Sequence, residues 1–299
     1  MQVTSARRRH WAPTDALLAL VAASALGLAA PALAQAPASV RGPAAPRASV
    51  KPNIVKVIAH EYAYTMADSL PAGLTTFRLD DQGKELHHIT LVRLDSGKTI
   101  SDLMATMKTE GAPPPAWMQF VGGPNTPEPG SIASATLNLT PGYYVAFCVI
   151  PDPTGVPHFA KGMMHPFVVT PSTGATAALP SADISVTLTD YDFIFSRPLT
   201  SGRHVIAVTN SSSQPHEMVI SRYDAGKGNK DFVAWANRPD GKPSPAYSMG
   251  GVSTIAPGTT VVIEQTFTPG RYGVICFVPD AKDGKPHFMH GMEKEFDVR

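Results

Sequence analysis

GYYVAFCVIPDPTGVPHFAKGMMHPF, residues 142–167, has a near-twin in GRYGVICFVPDAKDGKPHFMHGMEKEF, residues 270–296. Each copy holds one cysteine, then a histidine, then a methionine five residues on. Cys148 and Cys276 are the only cysteines among the 299 residues. Outward from this stretch the correspondence continues. Val55, Val57, Ala59, Tyr62, Gly73, Asp81 and His87 stand 129 residues before Ile184, Val186, Leu188, Tyr191, Gly202, Asn210 and His216. Gly122-Gly123, Pro129-Gly130, Pro141-Gly142 and Cys148 stand 128 residues before Gly250-Gly251, Pro257-Gly258, Pro269-Gly270 and Cys276. His158 with His287, and Met163 with Met292, return to 129. Two one-residue length changes explain the whole frame, so the chain is a tandem duplication. The units are 53–170 and 181–299, joined by a linker at 171–180.

Each unit reads as β. ISVTLTDYDF and TTVVIEQTF alternate apolar and polar residues, as half-buried strands do. RHVIAVTN, HEMVI and RYGVICFV are β-branched or aromatic and end at Gly, Pro or Asn. Twenty-nine prolines and twenty-four glycines suit many short strands joined by turns. Short helices are expected at 100–109 and 231–237. Units of this size and pattern predict an all-β chain of two tandem antiparallel sandwiches.

The N-terminus reads as an export signal. Residues 1–10 are basic, 16–30 are apolar, and Ala32-Leu33-Ala34 precedes a cleavage point. The apolar run is too short for a span, which needs about 20 residues. The expected order is a signal peptide at 1–34, a flexible Ala/Pro/Ser-rich tether at 35–52, and no membrane span in the mature chain. The expected location is periplasmic or secreted. A formal net charge of +1 with no internal basic block excludes a nucleic-acid partner. A disulfide could join only Cys148 to Cys276. That needs equivalent interior positions of two sandwiches within about 7 Å, and is not expected.

Four residue types recur in the same order: His87, Cys148, His158 and Met163, then His216, Cys276, His287 and Met292. A thiolate, two imidazoles and a thioether form a soft to borderline donor set. Two His and one Cys around a long axial Met suit copper. The first ligand sits far upstream; the other three lie on the last strand and the loop after it.

These stretches resemble the cupredoxin family of blue copper proteins. NSSSQPHEMVI is similar to the family's Asn-then-His strand, with DDQGKELHHITLV as its counterpart. YGVICFVPDAKDGKPHFMHGM is similar to its Cys–His–Met ligand loop. The resemblance covers both units. It implies two tandem cupredoxin-like Greek-key sandwiches, one type 1-like copper in each, and electron transfer to a redox partner protein. The Cys-to-His gaps are longer than the family's pattern. PDPTGVP and PDAKDGKP are therefore expected to form excursions that return the histidine.

Rival readings are weaker. Thioether favours copper over zinc, and carboxylates matched in both copies are not expected at the site. Two-domain copper oxidases and nitrite reductases share the domain count, but no H-x-H pair occurs for further coppers, so the chain is expected not to be an enzyme. The alternative is a Cu(I)-binding or delivery protein. His88 is expected to face away from His87. His60, His165, His204 and His290 are expected at the surface.

Overall fold

A computed structural model describes residues 51–107, 114–172, 177–237 and 242–299. The export segment 1–34 and nearly all of the tether lie outside the described residues, as do 108–109 of the first expected helix and 173–176 of the linker.

The first repeat contains β1 (Asn53–His60), β2 (Ala63–Thr65), β3 (Ser69–Pro71), β4 (Gly73–Asp81), β5 (Thr90–Leu94), α1 (Ile100–Met107), β6 (Met118–Gly122), β7 (Ile132–Leu139), β8 (Gly142–Phe147) and β9 (Met164–Thr170). The second contains β10 (Ile184–Thr189), β11 (Asp192–Phe195), β12 (Gly202–Asn210), β13 (His216–Tyr223), α2 (Asn229–Asn237), β14 (Ala246–Ile255), β15 (Thr260–Phe267), β16 (Gly270–Ile275) and β17 (Glu293–Val298). The described residues are nearly all β, with two short α-helices and two 3-10 turns, the all-β class that the sequence led us to expect. No helix among the described residues is long and apolar enough to cross a membrane.

Alternation puts one face of each strand inward. Val55, Val57 and Ala59 of β1 are buried, and so are Ile184, Val186 and Leu188 of β10. They face Phe77, Leu137, Tyr144 and Phe167 in one repeat and Ile263, Phe267 and Tyr272 in the other, within one continuous core cluster. Burying each such side chain is worth about 1.5–3 kcal/mol. The helices cover the opposite face of the second sheet. α1 lays Leu103 on Val92, Leu94 and Phe147, and α2 lays Phe232 on Val219 and Ile275. Thr99 and Asp102 cap α1 reciprocally, with Thr99 N–H donating to Asp102 Oδ2 at 2.9 Å.

The pairing is not wholly antiparallel. β1 pairs with β4, and β10 with β12, in parallel. A parallel neighbour needs a crossover, and the segment carrying β2 and β3 supplies one in the first repeat.

Both sheets run through both repeats. One has the order β11-β10-β12-β15-β7-β4-β1-β2, the other β17-β16-β13-β14-β6-β5-β8-β9-β3. At the seam each strand meets its own counterpart: β7 pairs with β15, and β6 with β14. Pro124 bridges to Val252, its equivalent 128 residues on, so the seam is internally two-fold. Asn125 N–H donates to Gly251 O at 3.2 Å, and Ser253 N–H to Gly123 O at 3.0 Å. The paired glycines also let each seam segment lie close against its own repeat. A Cβ on Gly123 would lie 2.3 Å from Ile89 O, and one on Gly251 2.0 Å from Met218 O.

These contacts set an order of stability costs. Gly258 has φ +78° and open space around a Cβ, so Gly258→Ala costs only the left-handed backbone, about 1–2 kcal/mol. Gly251→Ala adds a collision between strands and is expected to cost about 3 kcal/mol or more. Urea unfolding of the two variants checks the order; equal costs would disprove the close-approach account.

Candidate metal centres

Each set of four expected ligands is carried by one repeat. Cys148 and Cys276 follow β8 and β16 and are free thiols, fully buried. Backbone bonds then close the ligand loop on itself. In the first repeat Cys148 N–H donates to Met163 O at 3.3 Å, Phe159 N–H to Cys148 O at 2.8 Å, and Met163 N–H to His158 O at 3.0 Å. The second repeat repeats this through Cys276, Met292, Phe288 and His287 at 3.0–3.2 Å. Each histidine opens a 3-10 turn, His158–Lys161 or His287–His290, ended by a left-handed glycine. The long Cys-to-His gaps are small hairpins: Pro151 bridges to Pro157, and Pro279 to Pro286. Met163 and Met292 are fully buried directly after these turns.

The upstream ligand is placed by the matched residue at the end of β4 or β12. Asp81 accepts Gly83 N–H at 3.0 Å and His87 N–H at 3.1 Å. Asn210 accepts Ser212 N–H at 3.0 Å and donates to Gln214 O at 2.9 Å. Burial pushes the Asp81 carboxyl up to about 7.

The outcome is the same twice. His87 Nδ1 lies 3.1 Å from His158 Nδ1, and Cys148 Sγ lies 3.5 Å from His158 Nδ1. His216 Nδ1 lies 2.9 Å from His287 Nδ1, with Cys276 Sγ at 3.8 and 3.4 Å from them. All donor atoms of each trio lie within 4.8 Å of one another, and all six side chains are buried. Carboxylates hold the outer ring nitrogens. His158 Nε2 is 2.9 Å from Glu85 Oε2, and His216 Nε2 is 2.7 Å from Asp190 Oδ1. A proton there leaves the inward Nδ1 as a bare acceptor. In each centre an inward acceptor nitrogen thus faces a second imidazole nitrogen and a buried thiol, a grouping of donors that one shared cation satisfies. An ion bonded at about 2.0–2.3 Å to each donor spans separations of the size seen. The donor set fits a soft to borderline metal.

Electrostatics agree. Burial lowers His87 and His287 to about 4, each helped by its partner imidazole, so both are neutral at ordinary pH. Burial also lowers His158 and His216, against the pull of Glu85 and Asp190. Burial pushes the Cys148 thiol up to about 12 and Cys276 well above its usual value.

Three residues at the sites escaped the sequence reading. His88 is buried beside His87 rather than turned to solvent, because 87–88 lie before β5 and do not alternate as strand residues. Its Nε2 accepts Val149 N–H at 3.1 Å. Glu217, its counterpart, accepts Phe277 N–H at 3.0 Å. Both therefore cap the amide directly after a candidate cysteine ligand. Asn125 joins them across the seam: it donates to Glu217 Oε2 at 3.2 Å, and its side chain also hydrogen-bonds His88. Matched carboxylates are present too, Glu61 with Asp190 and Asp152 with Asp280, contrary to expectation. The signal was in the repeat frame, since these pairs keep its 129 and 128 spacings. His204 is also buried, bonded to Asp183 at 2.7 Å, instead of lying at the surface. His60 and His290 are exposed, and His165 is half-buried.

No family model matches the chain, and no curated protein matches it. Solved structures do. A multicopper oxidase is 15% identical, over 82% of this chain and 88% of that one, with a TM-score of 0.25. Auracyanin from the photosynthetic bacterium Roseiflexus castenholzii is 17% identical, over 38% and 94%, with a TM-score of 0.27. A Cu-containing nitrite reductase from Thermus scotoductus SA-01 is 11% identical, over 82% and 61%, with a TM-score of 0.22. Likenesses this distant assign no role. They do include enzymes, so the expectation that the chain is not an enzyme does not stand. That expectation rested on the missing H-x-H spacing, and sequence spacing does not bound what a fold assembles in space.

Binding at these centres must displace the thiol proton, while the histidines are already neutral. The apparent affinity for a thiolate-binding cation is therefore expected to rise about tenfold per pH unit per centre between roughly pH 6 and 9. Competition against a chelator at several pH values measures this. A pH-independent affinity would show that sulfur is not a ligand.

Proposed function

We propose that the chain is an exported copper protein that moves electrons, with a type 1-like mononuclear site in each repeat. The ligands are His87, Cys148, His158 and Met163 in one, and His216, Cys276, His287 and Met292 in the other. The observation that supports this most is the double convergence of two inward Nδ1 atoms and one thiol in buried surroundings. Thiolate with imidazole and thioether is the donor set that favours copper. Bound copper supplies one-electron exchange between Cu(II) and Cu(I).

The chain's own residues do the rest. Glu85 and Asp190 orient one imidazole in each centre. His88 and Glu217 fix the amide beside each cysteine. Glu217 N–H, at 3.5 Å from Cys276 Sγ, stabilises charge on that sulfur. Tyr62 packs its ring 4.9 Å from His158, and Tyr191 packs 5.4 Å from His287, excluding water from one side. The closed hairpins between Cys and His favour a fixed site over one that opens to hand metal on. The partner would be another redox protein.

Loading with copper tests the reading. Two coppers per chain and an intense thiolate-to-Cu(II) visible band are expected. Cys148→Ser and Cys276→Ser should each halve the band. Two coppers without a band would sink the thiolate assignment. A Ser variant that leaves the band whole would remove that repeat from the proposal.

A further inference from the structure

We propose that Tyr64 is a tuning residue of the first centre: its hydroxyl donates to the Cys148 sulfur and biases that centre toward its reduced form. The inference rests on the copper reading above and adds to it a difference between the two repeats.

The repeat frame isolates the residue. Tyr64 of β2 and Phe193 of β11 stand 129 positions apart. Each pairs across its hairpin with a matched residue, Tyr64 with Ala59 and Phe193 with Leu188. Both rings are buried in the same core cluster as the two cysteines. The two side chains differ by one oxygen atom. In the first repeat that oxygen lies between two acceptors. It donates to His88 O, and it also hydrogen-bonds the Cys148 side chain. Backbone donors to the sulfurs are matched. His88 and Ile150 N–H serve Cys148, and Glu217 and Val278 N–H serve Cys276. The Tyr64 hydroxyl is thus a donor that the second repeat replaces with a hydrocarbon ring.

Its effect follows from where charge sits. Tyr64 has one proton for two acceptors. A neutral thiol competes for it weakly, whereas a thiolate is charged and holds the stronger bond. A metal-bound thiolate shares more of its electron density with Cu(II) than with Cu(I), so the sulfur is more negative after reduction. The hydroxyl bond is then stronger in the reduced form and favours it. Hydrogen bonding around the cysteine sulfur is one of the levers that set the potential of such a site. The electron comes from the redox partner, and the phenolic proton stays on Tyr64.

The test reads one centre at a time in the full chain loaded with copper. Cys276→Ser leaves the first centre, and Tyr64→Phe is then added, the residue that the second repeat carries in the same place. Spectroelectrochemical titration of the thiolate band gives the midpoint. Loss of the hydroxyl should disfavour reduction about tenfold, which is about 59 mV for a one-electron couple. The band should also move to longer wavelength, because the sulfur lone pair loses a stabilising donor. Phe193→Tyr in the Cys148→Ser background should shift both readings the opposite way. An unchanged midpoint in Tyr64→Phe would overturn the inference. So would a lower midpoint with an unmoved band, which would trace the effect to the His88 carbonyl and not to sulfur. The Cys276→Ser parent keeps the two readings apart. With no thiolate band in the parent, the copper reading fails and takes this inference with it. With the band present and Tyr64→Phe without effect, this inference fails alone.

Discussion

Two buried imidazole nitrogens about 3 Å apart, beside a buried thiol, make an arrangement that one proton satisfies poorly and one metal ion satisfies well. Much of each repeat serves to hold that arrangement. Outer carboxylates turn one ring so that its acceptor faces in. A buried Asp81 or Asn210 fixes the segment that brings the upstream histidine. Three backbone bonds bind cysteine, downstream histidine and methionine into one closed loop. Burial keeps the rings neutral, and neutral rings are the form that binds metal. It also raises the thiols, so the sulfur gives up its proton only to a cation.

The seam between repeats adds a second layer of control. Its backbone bonds obey the internal two-fold, but its side chains do not. Asn125 occupies one side and Ser253 the other. Asn125 donates to Glu217, while Ser253 Oγ donates to Ile89 O at 2.7 Å. His88 in one half and Glu217 in the other do the same task, capping the amide after the cysteine, with opposite charge tendencies. The two centres therefore share ligand types yet sit in different fields: a neutral imidazole beside one sulfur, and a carboxyl raised to about 7 by burial beside the other.

Most of this was legible because the sequence contains its own comparison. Repeat spacing exposed the cysteine, histidines and methionine, and alternation exposed the strands of both sheets. What stayed hidden obeys neither rule. His88 is inward because its segment is irregular, and alternation applies only to strands. Asn125 acts on residues 92 positions away across a seam that no periodicity announces. His204 looked like a surface residue because nothing in its spacing shows that Asp183 waits beside it. The matched acids Glu61 and Asp190 were in frame all along, but carboxylates are so common on surfaces that position alone did not raise them.

The shared sheets carry a consequence for how such a chain can be divided. Cut between the repeats, each half would keep its own metal-binding side chains but bare β6 and β7, or β14 and β15, along both sheets at once. Those edges are already shaped to pair with a near-copy of themselves. A severed half would therefore be expected to dimerise or aggregate through its seam strands, and the duplication works as a covalent homodimer whose subunits have since diverged.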